Sequence, residues 1–190
     1  KKLLDSRVEL DHSDDITRLY THNVDVDAMN RRKLEELDAA IRTKQMRHDG
    51  DPYRVQAMKR SILAPETFYW AVGAEVMFVA NNFDEGYVNG TRGTITGMTS
   101  DGNPIVDTVD GARIHTETHT WKAYDDQGQY IVAEVTQIPL RLAWAVTIHK
   151  SQGMSLDAAE IDLSKAFTPG MGYVALSRVR SLEGLYLTGL

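Results

Sequence analysis

The stretch LRLAWAVTIHKSQGMSLDAAEIDL, residues 140–163, decides the predicted fold. Within it an apolar run leads into TIHKSQG, residues 147–153, where two hydroxyls, an imidazole, an ammonium and an amide precede a glycine. The spacing of LRLAWAVTIHK predicts a helix, and AEIDLS predicts a buried strand. A helix end explains the glycine as a cap and Lys150 as a partner of the helix dipole, but it leaves the other polar groups unexplained.

Helical and strand-like patterns alternate on both sides of this stretch. On the amino-terminal side, ITRLYT (residues 16–21) predicts a strand and VDVDAMNRRKLEELDAAI (residues 24–41) predicts a helix. On the carboxyl-terminal side, GMGYVALSRVRS predicts a helix and LYLTG predicts a strand. This alternation is typical of an α/β domain with a parallel sheet.

Residues 66–138 have a different sequence pattern, in which short strand-like runs alternate with turns rich in glycine, aspartate and asparagine. Asn89 followed by Gly90 is a strong hairpin signal. The strand patterns are AEVMFVA, GTITGM, NPIVDTV, ARIHTETHTW and QYIVAEVTQIPL. We therefore predict an α/β fold in which residues 1–65 and 139–190 form a parallel-sheet domain, and residues 66–138 form an inserted small β-barrel.

The composition sets limits on the type of protein. The chain has 190 residues, 42% of them hydrophobic, which is enough for a packed core. It has no cysteine, which excludes disulfides and thiolate metal sites and fits a reducing compartment, so we expect a cytoplasmic protein. No apolar run approaches the roughly 20 residues of a membrane span, so no membrane partner is expected. The chain starts at Lys1 without a methionine, and we expect it to be part of a longer protein.

The net charge of −6 argues in general against a nucleic-acid partner, but the charge is unevenly distributed. In residues 50–138 acidic side chains outnumber basic ones by six, whereas residues 1–49 and 139–190 are close to neutral. A local basic groove in the flanking segments is therefore compatible with the composition.

Two further patterns can be interpreted either as metal-binding sites or as ordinary structural features. In HTETH, the side chains of His115, Glu117 and His119 would share one face of a strand, as a metal clamp or, more simply, as a polar outer face. VMFVANNFDE, residues 76–85, is faintly similar to a strand ending in Mg²⁺-binding acids, but its turn formers favour a hairpin turn. The chain contains no GxxxxGK[ST] phosphate loop, so we predict no phosphate cradle within it.

Four segments occur in a characteristic order: TRLYTHNVDVDAMN, NNFDEGYVNGTRGTI, AWAVTIHKSQGMSLD and GYVALSRVRSLEGLYL. The last two resemble motifs V and VI of the superfamily 1B DNA helicases of the RecD and petite-integration-frequency (Pif) group. The first resembles the start of the second RecA-like domain of those helicases, and the second resembles the start of the small, src-homology-like barrel inserted in it. The resemblance implies that this chain is the C-terminal, second RecA-like domain of such a helicase. The first RecA-like domain of the same helicase would carry the phosphate loop and would be the partner of this chain.

The resemblance also implies nucleotide-binding roles. Arg178, in the SR of the motif VI segment, corresponds to the catalytic arginine finger, and its planar, permanently charged fork suits a γ-phosphate. Gln152 and Gly153 correspond to nucleotide-binding positions, where the glycine allows a close backbone approach. Ser155 stands where related helicases often have a glutamate near the ribose, which weakens the case for a ribose contact.

The single-stranded DNA contacts implied by the resemblance have hydroxyl, imidazole and ammonium donors, which suit phosphate oxygens without reading base sequence. They are Thr147, His149, Lys150 and Ser151 in the motif V segment, and Thr21 and His22 at the end of the first strand.

The resemblance thus implies the C-terminal portion of an ATP-dependent helicase that moves 5′ to 3′ on single-stranded DNA. ATP and Mg²⁺ are the cofactors expected in the full-length enzyme, and the 190-residue chain alone is expected to bind neither and to be inactive. The alternative is a non-catalytic nucleic-acid-binding module, in which the barrel binds an oligonucleotide and the α/β part is a scaffold.

Overall fold

A computed structural model of the chain describes residues 17–20, 23–148, 159–162, 170–179 and 185–188. The helices in these ranges are α1 (Asn23–Glu36), α2 (Pro52–Ser61) and α3 (Met171–Leu176). The strands are β1 (Thr17–Tyr20), β2 (Arg42–Gln45), β3 (Arg47–Gly50), β4 (Thr67–Trp70), β5 (Glu75–Phe78), β6 (Arg92–Met98), β7 (Pro104–Thr108), β8 (Arg113–His115), β9 (His119–Tyr124), β10 (Ile131–Gln137), β11 (Leu140–Leu142), β12 (Ala145–Thr147), β13 (Ala159–Asp162) and β14 (Leu185–Thr188). None of the described helices is long and apolar enough to cross a membrane.

The chain divides into two compact units. The first takes in Lys1–Glu36 and Ala143–Leu190, and the second takes in Leu37–Leu142. The sheet of the first unit has the strand order β12-β1-β13-β14 in the described ranges, and all of these pairs are parallel. The strands predicted from ITRLYT, AEIDLS and LYLTG are confirmed, and so is the parallel α/β character of this part of the chain.

Apolar side chains fill the middle of the parallel sheet. Leu19 in β1 lies between Val146 in β12 and Ile161 in β13 in the register of the ladder. All three are fully buried, as expected of a parallel sheet whose strands are covered on both faces. Burying each such side chain stabilises the fold by about 1.5–3 kcal/mol.

Helix α1 packs against this sheet through one face. Its buried side chains, Val26, Asn30 and Leu34, recur every fourth residue and therefore lie on the same side of the helix. The helix ends at Glu36, before the predicted end at Ile41. The chain then continues into β2, which pairs antiparallel with β4 in the second unit.

The predicted helix in LRLAWAVTIHK is wrong. The described part of this segment, up to Ile148, forms β11 and β12. Strand β11 pairs antiparallel with β5, whereas β12 pairs parallel with β1. Most of these residues are buried, so their apolar pattern fits a buried helix as well as two buried strands. Only the pairing with distant strands distinguishes the two structures.

The second unit has three sheets in the described residues, with strand orders β11-β5-β6-β7-β8, β3-β10-β9 and β2-β4. The strands predicted in AEVMFVA, GTITGM, NPIVDTV and QYIVAEVTQIPL are confirmed as β5, β6, β7 and β10. The predicted turn between β5 and β6 is also confirmed. Asn82 and Tyr87 form an antiparallel bridge there, and Gly90 has a φ of +98°, which glycine adopts without strain.

The second unit extends beyond the insert predicted at residues 66–138. Residues 37–65 belong to it, and they are held by the buried amide of Gln137. Its Nε2 donates to three backbone carbonyl oxygens, those of Lys44 (3.2 Å), Pro65 (2.9 Å) and Glu66 (3.2 Å). At the other end, β11 pairs with β5. These bonds explain why the structural division lies at Leu37 and Leu142.

Gly93, where β6 lies against β7, has no room for a side chain. A Cβ atom there would collide with the carbonyl oxygen of Asp107 and would press on Val106. We expect Gly93→Ala to lower the free energy of unfolding by about 1–3 kcal/mol, as overpacking generally does. Chemical denaturation of the variant measures this loss.

Gly97→Ala, in the same strand, is the control for this prediction. Its Cβ would meet Ile105 Cδ1 at 3.6 Å, an ordinary contact. We expect the free energy of unfolding to change by less than about 1 kcal/mol. Equal losses in the two variants would contradict the steric explanation.

Candidate functional site

The carboxyl ends of the parallel strands lie side by side. Tyr20, the last residue of β1, is the register partner of Thr147, the last residue of β12. Asp162, the last residue of β13, is likewise the partner of Thr188, the last residue of β14. Ligands of open α/β sheets bind outside the carboxyl ends of the strands. This edge of the sheet is therefore the candidate site.

Most of the predicted site residues lie outside the described residues. These are Thr21, His22, His149, Lys150, Ser151, Gln152 and Gly153. In the sequence, however, Thr21 follows Tyr20 directly, and the TIHKSQG segment begins with Thr147. The structure thus brings together the two strand ends from which the predicted DNA-contacting segments continue, while the contacts themselves stay predictions.

Thr147 is a predicted DNA contact whose side chain the structure does describe. It is 3% exposed, and the next residue, Ile148, is 1% exposed. Thr147 is thus buried at the end of β12. This placement lends no support to a direct DNA contact by Thr147 itself.

Asn30, which the sequence interpretation did not single out, holds β12 from the side that faces away from β1. Its Nδ2 donates to the carbonyl oxygen of Ala145 at 2.9 Å, and the Ala145 N–H donates to its Oδ1 at 2.9 Å. The side chain is buried. A sequence signal existed, because Asn30 is the polar member of the apolar helical stripe formed with Val26 and Leu34.

Arg178 lies just beyond α3, and its guanidinium is bound to the end of that helix. Its Nε donates to the carbonyl oxygen of Val174 at 3.1 Å, and its Nη2 donates to Ser177 Oγ at 2.9 Å. The Ser177 hydroxyl in turn donates to the Val174 carbonyl oxygen at 2.8 Å. The arginine is therefore held in one direction by its own helix. Arg180 lies outside the described residues.

The HTETH segment does not form one strand face. His115 ends β8 and His119 begins β9, and the residues between them belong to neither strand. The Thr116 N–H donates instead to the carbonyl oxygen of Pro104 at 3.1 Å. The expectation that His115, Glu117 and His119 share a strand face is therefore wrong. Among the residues that the structure describes, no group of three or more His, Cys, Asp or Glu could hold a metal ion.

Known proteins similar to this chain are DNA helicases. No protein-family model matches it. The ATP-dependent DNA helicase Pif1 of Psychrobacter sp. (strain PRwf-1) is 39% identical over 224 residues, covering 92% of this chain and 34% of that helicase. The Pif1 helicase of Bdellovibrio bacteriovorus is 37% identical, covering 100% of this chain and 43% of that helicase. The chain thus spans less than half the length of these curated relatives.

Solved Pif1 structures have a similar fold. The structure of Bacteroides sp Pif1 in complex with ADP-AlF4 matches with a TM-score of 0.83 and 34% identity, covering 100% of this chain and 44% of that one. Bacteroides Pif1 bound to ssDNA matches with a TM-score of 0.72 and 34% identity, covering 100% of this chain and 45% of that one. The similarity therefore extends over both units.

His119, at the start of β9, predicts a pH dependence of stability. Its ring meets Trp121 edge-on, with centroids 4.6 Å apart, and burial lowers the pKa of His119 below its ordinary value. The unfolded chain therefore takes up a proton more readily than the folded protein as the pH falls through about 6.5, and we expect the free energy of unfolding to decline there.

Denaturation of the wild type and of His119→Gln across this pH range measures the effect. The variant should lose less stability on acidification than the wild type, because it has no imidazole at this position. Superimposable pH profiles of the two proteins would contradict the expected role of His119.

Proposed function

The chain is a homologue of part of the Pif1 DNA helicases, and on this premise we propose that it forms the C-terminal portion of an ATP-dependent DNA helicase. The first unit is then the second RecA-like domain of the motor. His149, Lys150 and Ser151 bind single-stranded DNA together with Thr21 and His22. Gln152, Gly153 and Arg178 act on ATP. The 5′ to 3′ direction of movement follows from the resemblance of the motifs alone.

One observation carries this proposal, namely the register pairing of Tyr20 with Thr147 at the ends of β1 and β12. The two predicted DNA-contacting segments continue from these neighbouring positions. A motor requires DNA contacts that shift when nucleotide binds, and two segments attached to one sheet edge move together when that edge moves. Bacteroides Pif1 has been solved both with ADP-AlF4 and with ssDNA, which supports assigning both ligands to this chain's site.

Arg178 is the proposed arginine finger. It would contact the γ-phosphate of ATP from across the cleft between the two RecA-like domains, where charge develops in the transition state. In this chain its Nε and Nη2 are bonded to Val174 and Ser177 at the end of α3, and the guanidinium would exchange these bonds for the phosphate oxygens.

ATP and Mg²⁺ are the proposed cofactors of the full-length enzyme. The sequence of this chain has no phosphate loop, and we assign that loop and the Mg²⁺ carboxylate to the first RecA-like domain, its proposed partner. The chain alone is then expected to be inactive. The cytoplasmic location remains a prediction from the sequence.

The second unit, Leu37–Leu142, is the proposed inserted β-barrel, with wider boundaries than the sequence indicated. Its short antiparallel strands, and the amide of Gln137 that joins distant parts of the unit, support a compact β module. In this unit acidic residues outnumber basic ones by four, against two in the first unit, so it is the less favourable surface for DNA phosphates, which favours the motor over a binding module centred on the barrel.

The role of Arg178 is tested by Arg178→Ala in the full-length enzyme. We expect DNA-stimulated ATP turnover to fall by roughly 10³-fold or more, as for arginine fingers in general. ATP affinity and nucleotide-free DNA binding should change far less, because the charge acts in the transition state. Arg178→Lys should restore little activity, since an ammonium cannot replace the planar fork.

Arg180→Ala is the matched control, since it removes an arginine two positions along the same segment. We expect a milder effect on turnover, with folding of all variants checked by thermal melting. Loss of turnover in Arg180→Ala but not in Arg178→Ala would assign the finger to Arg180. Normal turnover in both variants would contradict the assignment of an arginine finger to this segment and would favour the binding-module alternative.

The DNA contact is tested by Lys150→Ala in the full-length enzyme. We expect weaker binding of single-stranded DNA, similar for all base sequences, and a salt dependence flatter by roughly one unit of slope. Lys59→Ala is the control, because Lys59 lies on α2 and pairs with Glu66 at 3.0 Å. A loss of affinity confined to one base sequence would mean that this segment reads bases rather than phosphates.

A further inference from the structure

The two hydrogen bonds between Asn30 and Ala145 point to a role beyond packing. We propose that Asn30 is a positioning residue for DNA binding, whose amide fixes the strand that leads into the DNA-contacting segment. This inference rests on the proposed function, because it assumes that the segment after β12 binds single-stranded DNA. Asn30 itself is buried and touches no DNA in this scheme.

The side-chain amide of Asn30 bonds to both backbone polar groups of Ala145 in β12. The Ala145 N–H and C=O each form a 2.9 Å bond with it, while the neighbouring residue Val146 pairs in register with Leu19 of β1. Strand β12 is thus held on one side by β1 and, at Ala145, on the other side by the side chain of Asn30.

Helix α1 connects this contact with the second predicted DNA segment. The helix begins at Asn23, directly after Thr21 and His22, and it carries Asn30 two turns further along. In the sequence, α1 therefore follows one predicted DNA segment, and through Asn30 it holds β12, the strand that precedes the other segment.

The asparagine does more than bury surface. A leucine would continue the apolar stripe of Val26 and Leu34 and would add buried apolar area, but it would remove both bonds to the Ala145 backbone. An amide is directional, however, because it accepts from an N–H and donates to a C=O only in one arrangement. Asparagine therefore favours a defined position of β12 rather than burial in general.

The test uses the full-length helicase and two variants, Asn30→Ala and Asn30→Asp. Binding of a fluorescent single-stranded oligonucleotide is measured between about pH 5.5 and about pH 8.5, which brackets the raised pKa expected of a buried carboxyl. We expect Asn30→Ala to bind about tenfold more weakly than the wild type at every pH, since both bonds to Ala145 are lost.

The DNA affinity of Asn30→Asp should depend on pH, and its melting temperature over the same pH range should show a folded protein where the affinity is low, which a purely structural role does not predict. Its neutral carboxyl can accept from the Ala145 N–H and donate to the Ala145 carbonyl oxygen, whereas its carboxylate repels that oxygen. Affinity relative to the wild type should therefore be low at high pH and recover as the pH falls through the raised pKa.

Gln137→Ala is the matched control, because it removes another buried amide with several backbone bonds, in the second unit. It should lower the melting temperature without changing DNA affinity. If the wild type binds no single-stranded DNA, the proposed function falls and this inference with it. If the wild type binds and both Asn30 variants match it at every pH, only the positioning role is overturned.

Discussion

The position of β1 between β12 and β13 is the constraint on which the first unit depends. Arg18 in β1 pairs with Ala145 on one side and with Glu160 on the other, so the sheet forms only after the chain has passed through the whole second unit. Pairing such distant segments costs loop-closure entropy before any contact forms. The burial of Leu19 and Ile161 offsets this cost, and it explains why the centre of the sheet is wholly apolar.

Buried amides connect distant segments in both units. Asn30 bonds to Ala145 in the first unit, and Gln137 bonds to three carbonyl oxygens and to the Ile138 N–H in the second. A primary amide has both a donor and an acceptor, so it can satisfy backbone groups where no further strand is available. An unsatisfied buried group costs about 1–3 kcal/mol, which makes these two positions intolerant of apolar truncation.

The acidic side chains of the second unit form an ordered row across its largest sheet. Thr94 Oγ1 donates to Glu75 at 2.7 Å, and Arg113 donates to both carboxylate oxygens of Asp107 at 2.7 Å. Arg113 thereby holds the pKa of Asp107 below its ordinary value. The charge of Asp107 is thereby balanced by Arg113. The net charge of −6 is shared by both units, because acidic residues outnumber basic ones by two in the first unit and by four in the second.

The sequence by itself determined the alternation of strands and helices around a β-rich middle, and it carried the motif segments that are similar to those of helicases. Apolar spacing reports which side chains are buried but not what they pair with, so residues 140–148 and the HTETH segment were assigned wrongly. Only the tertiary structure decided those pairings, the division at Leu37 and Leu142, and the contact of Asn30 with Ala145. That contact joins residues 115 positions apart, and local spacing contains no information about a partner at such a distance.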